Sequence, residues 1–127
     1  MRAMIWVVAV TAALVALIGG FCGAYSSNTS QALRSRVMEM NAVVLSGNAE
    51  AAMAQALRLE EAWQEKSALL CLWVNHQDID DVSVGIQQLK VSIEVGETHD
   101  ALRYLAELDE ALAHIYHRDA FKLRNIL

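Results

Sequence analysis

Residues 3–25 read AMIWVVAVTAALVALIGGFCGAY, a run of 23 residues without a charged side chain. As an α-helix rising about 1.5 Å per residue, this run would reach about 34 Å, which exceeds the roughly 30 Å hydrocarbon core of a bilayer. Trp6 and Tyr25 stand near its two ends, where amphipathic rings favour the membrane interface. The run therefore predicts a transmembrane anchor, which we place at residues 1–25.

A cleaved signal peptide is the alternative to a retained anchor. Signal peptides carry apolar regions of about 7–15 residues, followed by small residues at the cleavage site. Cys22, Gly23 and Ala24 before Tyr25 would suit cleavage, but the apolar run is longer than a signal peptide requires. We therefore expect a retained anchor. Arg2 lies closer to the run than Arg34 does, so the positive-inside rule favours a cytoplasmic N-terminus and an extracytoplasmic domain.

The composition favours helices and argues against a nucleic-acid partner. The chain has no proline, the residue that breaks helices most strongly, and 55% of its residues are hydrophobic. From Arg34 onward, nine Lys and Arg residues stand against fifteen Asp and Glu residues. Nucleic-acid binding requires clustered positive charge, which an acidic domain does not offer. Cys22 lies in the apolar run and Cys71 in a later helical stretch, and we expect both to be free thiols.

Beyond the run, we divide the chain into a polar linker at residues 26–30 and a helical domain at residues 31–127. Gly47 and Asn48 are suited to end one helix and to cap the next. Apolar residues recur at spacings of three and four, which predicts amphipathic helices packed as an antiparallel bundle. The successive stripes are Leu33, Val37, Met40 and Val44; Ala52, Ala56, Leu59, Trp63, Leu70 and Trp73; Ile79, Val82, Ile86, Leu89 and Ile93; and Leu102, Leu105, Leu108, Leu112, Ile115, Leu123 and Ile126.

Two stretches of the domain are ambiguous. The second and third stripes differ in phase, so we predict a helix break at residues 75–78, with Asp78 as the cap and Asp81 in the first turn of the next helix. The alternative is one long helix that contacts two neighbours. Residues 89–95 alternate between apolar and polar side chains as a strand would. Because an isolated strand would have no partner in this chain, we expect helix there as well.

Several distinct short motifs lie in the C-terminal half of the chain. They are Ala62-Trp63, Leu72-Trp73, His76-Gln77-Asp78-Ile79 followed by Val82 and Ile86, and Asn125-Ile126-Leu127. Together with the apolar run, they resemble domain of unknown function 4363, a family of small bacterial membrane proteins. In that family the histidine is followed by an acidic residue and an isoleucine, and Asp78 stands where glutamate is more usual. The resemblance implies a bacterial, Gram-positive source and a helical fold, and it implies no activity.

The best candidate for a metal site is a set of four side chains spaced 3, 4 and 3 residues apart, which aligns them on one helix face. They are Glu107, Glu110, His114 and His117. Because this face lies opposite the leucine stripe of the same helix, we interpret it as solvated surface. We therefore predict no metal and no cofactor, and a metal site is the alternative.

His76 with Asp78, Asp80 and Asp81 forms a second candidate. Carboxylates near a helix start are favoured by the macrodipole, so we interpret this group as part of a helix cap, with a partner contact or a ligand site as alternatives. A buried, hydrogen-bonded His76 is a further alternative. Trp63 and Trp73 fall on an apolar stripe and are predicted to be core residues. Asn125 is a contact candidate through the family resemblance.

The motifs that accompany common catalytic chemistry are missing from the sequence. It contains no P-loop, no HExxH and no GxSxG, so we predict that the protein is not an enzyme. The leading hypothesis is an interaction or structural module that is anchored in the bilayer and binds a protein partner or itself. The alternative is an extracytoplasmic ligand- or metal-sensing bundle. It would act through a partner subunit, because the residues before the run leave no room for a cytoplasmic output domain.

Overall fold

The computed structural model describes the backbone of residues 1–126 and the side chains of residues 1–116, and this part of the chain forms four α-helices. They are α1 (Arg2–Leu45), α2 (Ala49–Leu70), α3 (His76–Glu94) and α4 (Thr98–Ile126). Consecutive helices pack against each other, and α4 also packs against α1, which closes an antiparallel bundle. No strand occurs in residues 1–126. The predicted all-α class and helical bundle are confirmed.

Helix α1 joins the apolar run to the bundle without interruption. Its residues 2–18 are all exposed, and its later residues turn a regular inner face toward the other helices. The prediction of a linker at residues 26–30 is therefore wrong, because these residues are helical. Ser26, Thr29 and Ser30 are buried and precede Leu33 at helical spacing. Small hydroxyl side chains can occupy an inner face when they are hydrogen-bonded, which a polar composition does not reveal.

The helix ends follow local chemistry. Gly47 and Gly96, which come shortly after α1 and α3, both have a φ of 78°, a conformation that glycine adopts without strain. The Asn48 side chain accepts a hydrogen bond from the backbone N–H of Ala51 at 3.0 Å and so caps α2. The predictions for Gly47 and Asn48 are confirmed.

The break between α2 and α3 is present but begins earlier than predicted. Helix α2 ends at Leu70, and Asn75 caps α3 by accepting a hydrogen bond from the backbone N–H of Gln77 at 2.9 Å. The prediction that Asp78 is the cap is wrong: Asp78 is the third residue of α3, and its side chain is buried. Asn75 already supplies the acceptor that the helix start needs. Residues 89–94 are helical, as expected.

The core lies between the inner faces of all four helices. The predicted stripes supply nearly all of its apolar members, whereas Trp73, Ile79 and Leu102 are only partly buried. Leu123 and Ile126 lie outside the described side chains. The buried hydrophobic residues are Leu33, Val37, Met40, Val44, Ala52, Ala56, Leu59, Trp63, Leu70, Val74, Val82, Ile86, Leu89, Ile93, Ala101, Leu105, Leu108, Leu112 and Ile115.

Candidate interaction surfaces

An aromatic cluster marks the point where the apolar run meets the bundle. The Tyr25 ring stacks on Phe21 with their centroids 6.0 Å apart, and the edge-on ring of Trp73 lies 5.8 Å away. The Nζ atom of Lys66 lies 5.6 Å from the centroid of the same tyrosine. We call Phe21, Tyr25, Lys66 and Trp73 the junction cluster. It connects the end of the run on α1 to the end of α2 and to the α2–α3 loop.

The hydroxyl groups of Ser26 and Ser30, which follow Tyr25 on α1, make hydrogen bonds next to this cluster. The indole Nε1 of Trp73 donates a hydrogen bond to Ser26 Oγ at 3.0 Å, and Ser30 Oγ donates to the backbone oxygen of Leu112 at 2.9 Å. Sequence reasoning missed the two serines because it assigned them to a linker. The available signal was their spacing, since residues 26, 30, 33 and 37 continue one helical stripe.

Trp63 lies deep in the bundle rather than at its surface. Its side chain is 2% exposed, and its indole Nε1 donates a hydrogen bond to Ser83 Oγ at 2.9 Å. This partly buried hydrogen bond joins α2 to α3. Trp73, in contrast, is only partly buried. Of the two tryptophans, Trp63 is therefore the packing residue, and Trp73 belongs to the junction cluster.

The residues at the start of α3 differ in their exposure to solvent. His76 is exposed, whereas Asp78 is 6% exposed and is among the residues with an interaction partner. Asp81 accepts a hydrogen bond from Gln77 Nε2 at 2.9 Å. Among the described side chains, no group of three His, Cys, Asp or Glu residues is placed to hold a metal ion.

The predicted outer face of α4 is exposed where it is described. Glu107, Glu110 and His114 all lie at the surface, along a shallow groove of about 390 Å³ between α3 and α4. Residues from both helices line this groove, including carboxylates. His117 and Asn125 lie outside the described side chains.

We predict that adding or removing divalent metal leaves folding unchanged. Water already hydrates the exposed Glu107, Glu110 and His114, whereas a structural zinc site would contribute folding energy directly. Thermal melts of the detergent-solubilised protein, followed by circular dichroism, should coincide with excess chelator and with added zinc. A fall in the midpoint with chelator that His114→Ala and His117→Ala each reproduce would contradict this prediction.

Two ion pairs tie the bundle together outside the core. Lys90 Nζ lies 3.1 Å and 3.0 Å from the two carboxylate oxygens of Glu60, and Gln87 donates to the same carboxylate. The hydrogen bond from Lys90 lowers the pKa of Glu60, with smaller contributions from Gln87 and from the lysine charge. On the other side, Arg34 Nε lies 2.9 Å from Asp109 Oδ1. This hydrogen bond raises the pKa of Arg34.

We predict that Glu60→Gln destabilises the bundle by about 1 kcal/mol at neutral pH, the upper range for a partly exposed ion pair. Because folding lowers the pKa of Glu60, its contribution is present above the unfolded pKa and is lost as pH falls through the folded pKa. The difference between the variant and the wild type should therefore shrink as pH falls below about 4. Denaturant unfolding at several pH values measures it. Glu61→Gln, at an exposed neighbour on α2, is the control and should show no such trend.

The outer side of α3, extended by its C-cap residue Val95, carries a second apolar stripe. Val84, Val91 and Val95 are 54%, 58% and 62% exposed, at spacings of seven and four residues. This spacing places the three valines along one helix face. We call them the valine stripe. An exposed apolar stripe on a helix is the kind of surface that another helix can cover.

The family comparison covers the whole bundle. The family described as Domain of unknown function (DUF4363) matches residues 21–126. The match begins at Phe21 of the junction cluster and includes all of α2, α3 and α4. No curated protein and no solved structure matches the chain significantly. The resemblance inferred from the tryptophan, histidine and asparagine motifs is confirmed, over a longer stretch than those motifs cover.

Proposed function

The chain belongs to the DUF4363 family, and we propose that it is a single-pass membrane protein whose bundle binds another protein without catalysing a reaction. One observation carries the proposal: α1 is at once the apolar run and the first helix of the bundle. The run is long and apolar enough to cross a membrane. A helix shared in this way would hold the bundle directly at the membrane surface.

The exposure of the run supports membrane anchoring. Residues 1–18 of the chain are all exposed, including Ile5, Val8, Leu14 and Leu17. A soluble monomer rarely exposes so large a contiguous apolar surface. A lipid bilayer would cover it. The position of Arg2 directly before the run favours a cytoplasmic N-terminus and an extracytoplasmic bundle in the cell membrane.

The placement of the perturbed titratable groups supports a non-catalytic role. Arg34 and Glu60 belong to ion pairs that brace neighbouring helices. The pKa of Glu97 is raised by a hydrogen bond with Asp100 at the start of α4. Catalytic groups with shifted pKa values are usually gathered in a cleft. These groups instead lie at helix faces and at a helix end.

The valine stripe supports a protein partner. Val84, Val91 and Val95 are apolar and exposed on a helix whose opposite face already packs into the core. We propose that the occupant is an apolar helix of another membrane-anchored protein, because anchoring of both proteins would hold two helices at the same height above the bilayer. Self-association through the same stripe is the other outcome of the test.

Membrane anchoring is tested by alkaline carbonate extraction of full-length protein from membranes. We expect the protein to stay in the membrane fraction. A Leu14→Arg, Leu17→Arg variant should be partly released, because arginine near a helix centre costs about 2.5–3.5 kcal/mol on the insertion scale. Arg36→Leu, outside the run, is the control and should behave as wild type. Release of the unmodified chain with a mature N-terminus at Tyr25 would contradict the anchor.

Partner binding is tested with a photo-crosslinking amino acid at Val91 in the full-length protein in cells. We expect one dominant adduct with a second membrane protein. The same probe at Gln64, an exposed position on α2, is the control and should give no comparable adduct. An adduct with the mass of two copies of this chain would assign self-association instead. Equal labelling from both positions would contradict the valine stripe as the binding face.

The sensing hypothesis is the second candidate function. It requires a ligand or metal in the bundle, and the groove beside Glu107, Glu110 and His114 is where such a ligand would bind. The groove is shallow, and the described side chains around it do not converge on one point. The chelator experiment described above therefore distinguishes the metal form of this hypothesis from the interaction module.

A further inference from the structure

The α2–α3 loop, residues 71–75, lies at the same height along the bundle as the end of the apolar run. We infer that this loop is a second membrane contact, which inserts Leu72 into the interface of the bilayer that α1 crosses. The inference rests on the proposed anchoring by α1. It adds a lipid-binding surface, formed by the loop, to the anchoring and partner-binding roles proposed above.

Contacts across the junction cluster fix the position of the loop. The ring of Trp73 lies 5.8 Å from Tyr25, the last residue of the run, and its indole donates a hydrogen bond to Ser26 at 3.0 Å. Phe21, one turn further into the run, stacks on the same tyrosine. When residues 3–25 span the bilayer, Tyr25 lies at the interface, and a loop in contact with Tyr25 lies there too.

The chemistry of the loop suits that position. It reads Cys71-Leu72-Trp73-Val74-Asn75 and carries no charge. Leu72 is 74% exposed, more than any other large apolar side chain of the bundle that the structure describes. Exposed leucine beside tryptophan is typical of segments that bury an apolar face at the boundary between headgroups and acyl chains. Lys66, the charged member of the junction cluster, would extend its ammonium group toward lipid phosphates.

A second contact would change what the anchor does. A bundle held by one helix alone can tilt about the point where that helix leaves the membrane. A second contact with the membrane through Leu72, the residue before Trp73, would restrict this tilt. The opposite loop, Ser46-Gly47-Asn48, follows about 20 residues of helix beyond Tyr25 and so lies roughly 30 Å from the membrane. The bundle would then stand upright, with the valine stripe held at a fixed height.

Site-specific fluorescence in phosphatidylcholine nanodiscs tests the inference on the full-length chain. Cys22→Ser leaves Cys71 as the only thiol, and a bimane label at Cys71 reports on the loop. Two further variants, made in a background without either native cysteine, carry the label at Ile18→Cys within the run and at Ser46→Cys in the opposite loop. Ile18 and Ser46 are both exposed. The quenchers are phosphatidylcholine spin-labelled on the headgroup or on the acyl chain, and aqueous iodide.

We expect headgroup-labelled lipid to quench the Cys71 label and to leave the Ser46→Cys label unchanged, while iodide quenches only the latter strongly. Leu72→Asn should reduce the lipid quenching at Cys71 without changing the far-ultraviolet circular dichroism spectrum, because Leu72 is exposed.

Quenching at Ile18→Cys by chain-labelled lipid, with none at Cys71, would overturn the loop contact and leave the anchor standing. A Cys71 label shielded from iodide but insensitive to lipid would assign the loop to a protein contact and would overturn the inference. Absence of quenching at both positions would overturn the anchor as well.

Discussion

Trp63→Ala should lower the free energy of unfolding of the bundle by about 3–5 kcal/mol, the range for removing a buried aromatic side chain. Trp63 is 2% exposed and lies in the core between α2 and α3. Truncation leaves a cavity in the core. It also removes the indole N–H that donates a hydrogen bond to Ser83 Oγ. A typical domain holds only about 5–15 kcal/mol in total, so this loss is a large share.

Thermal melting of the full-length protein in detergent micelles, followed at 222 nm, measures the effect. We expect a midpoint lower by about 15 °C or more, since 1 kcal/mol shifts a domain of this size by about 4–8 °C. Trp63→Phe keeps most of the volume and should cost less. Trp73→Ala should also cost less, because Trp73 is only partly buried. Equal midpoints for Trp63→Ala and the wild type would mean that Trp63 is not a core residue.

The truncated fragment suited to such work must include the junction. A fragment that begins after residue 30 would lose Ser26 and Ser30, which are buried and hydrogen-bonded to α4 and to the α2–α3 loop. It would also lose the contact between Tyr25 and Trp73. Full-length protein in micelles keeps all of these interactions, so stability changes in the bundle can be compared directly.

Sequence periodicity was sufficient to predict the helices and most of the core. Residues at spacings of three and four must lie on one helix face, and that face had to be buried because the other was charged. Cap residues were equally informative where the chemistry is local. Gly47 adopts the left-handed conformation, and Asn48 caps the next helix through its own side chain.

The same logic failed where polar residues are satisfied by distant partners. Ser26 and Trp73 are 47 residues apart, and Ser30 and Leu112 are 82 apart. No local sequence pattern can therefore predict either hydrogen bond. A polar segment between an apolar run and a helix is indistinguishable by composition from a linker. The junction cluster could not be predicted for the same reason, since Tyr25, Lys66 and Trp73 come from three separate elements.

The strand-like alternation at residues 89–95 has a structural explanation. Helix α3 has two apolar faces: Leu89 and Ile93 face the core, while Val91 and Val95 face outward. Superposed along the sequence, two stripes on opposite sides of one helix give an apolar residue at nearly every second position. The ambiguity in the sequence is therefore the signature of the valine stripe, the surface that we propose for partner binding.

A close contact between α3 and α4 at Gly85 leads to a prediction that couples two residues. A Cβ atom added at Gly85 would lie 2.8 Å from Cδ2 and 3.2 Å from Cγ of Leu108, which is 1% exposed. Gly85→Ala alone therefore combines an overpacking cost of about 1–3 kcal/mol with a gain of about 1 kcal/mol in helix propensity. We expect a net destabilisation. Leu108→Ala alone should cost about 2–5 kcal/mol through the cavity that it leaves.

In the double variant the clash disappears, because the atoms that the new Cβ would meet are gone. Gly85→Ala should then stabilise the Leu108→Ala protein by about 1 kcal/mol, the helix-propensity gain alone, so the sign of its effect reverses between the two backgrounds. Denaturant unfolding in micelles of the wild type, the two single variants and the double variant measures the four free energies of this double-mutant cycle. In the control cycle, Val44→Ala replaces Leu108→Ala. Val44 lies near the C-terminal end of α1, whereas Gly85 lies at the middle of α3, so the two substitutions should be additive to within about 0.5 kcal/mol. Additivity in the Leu108 cycle would contradict the close contact, because two substitutions that share no atoms in contact have no reason to change each other's cost.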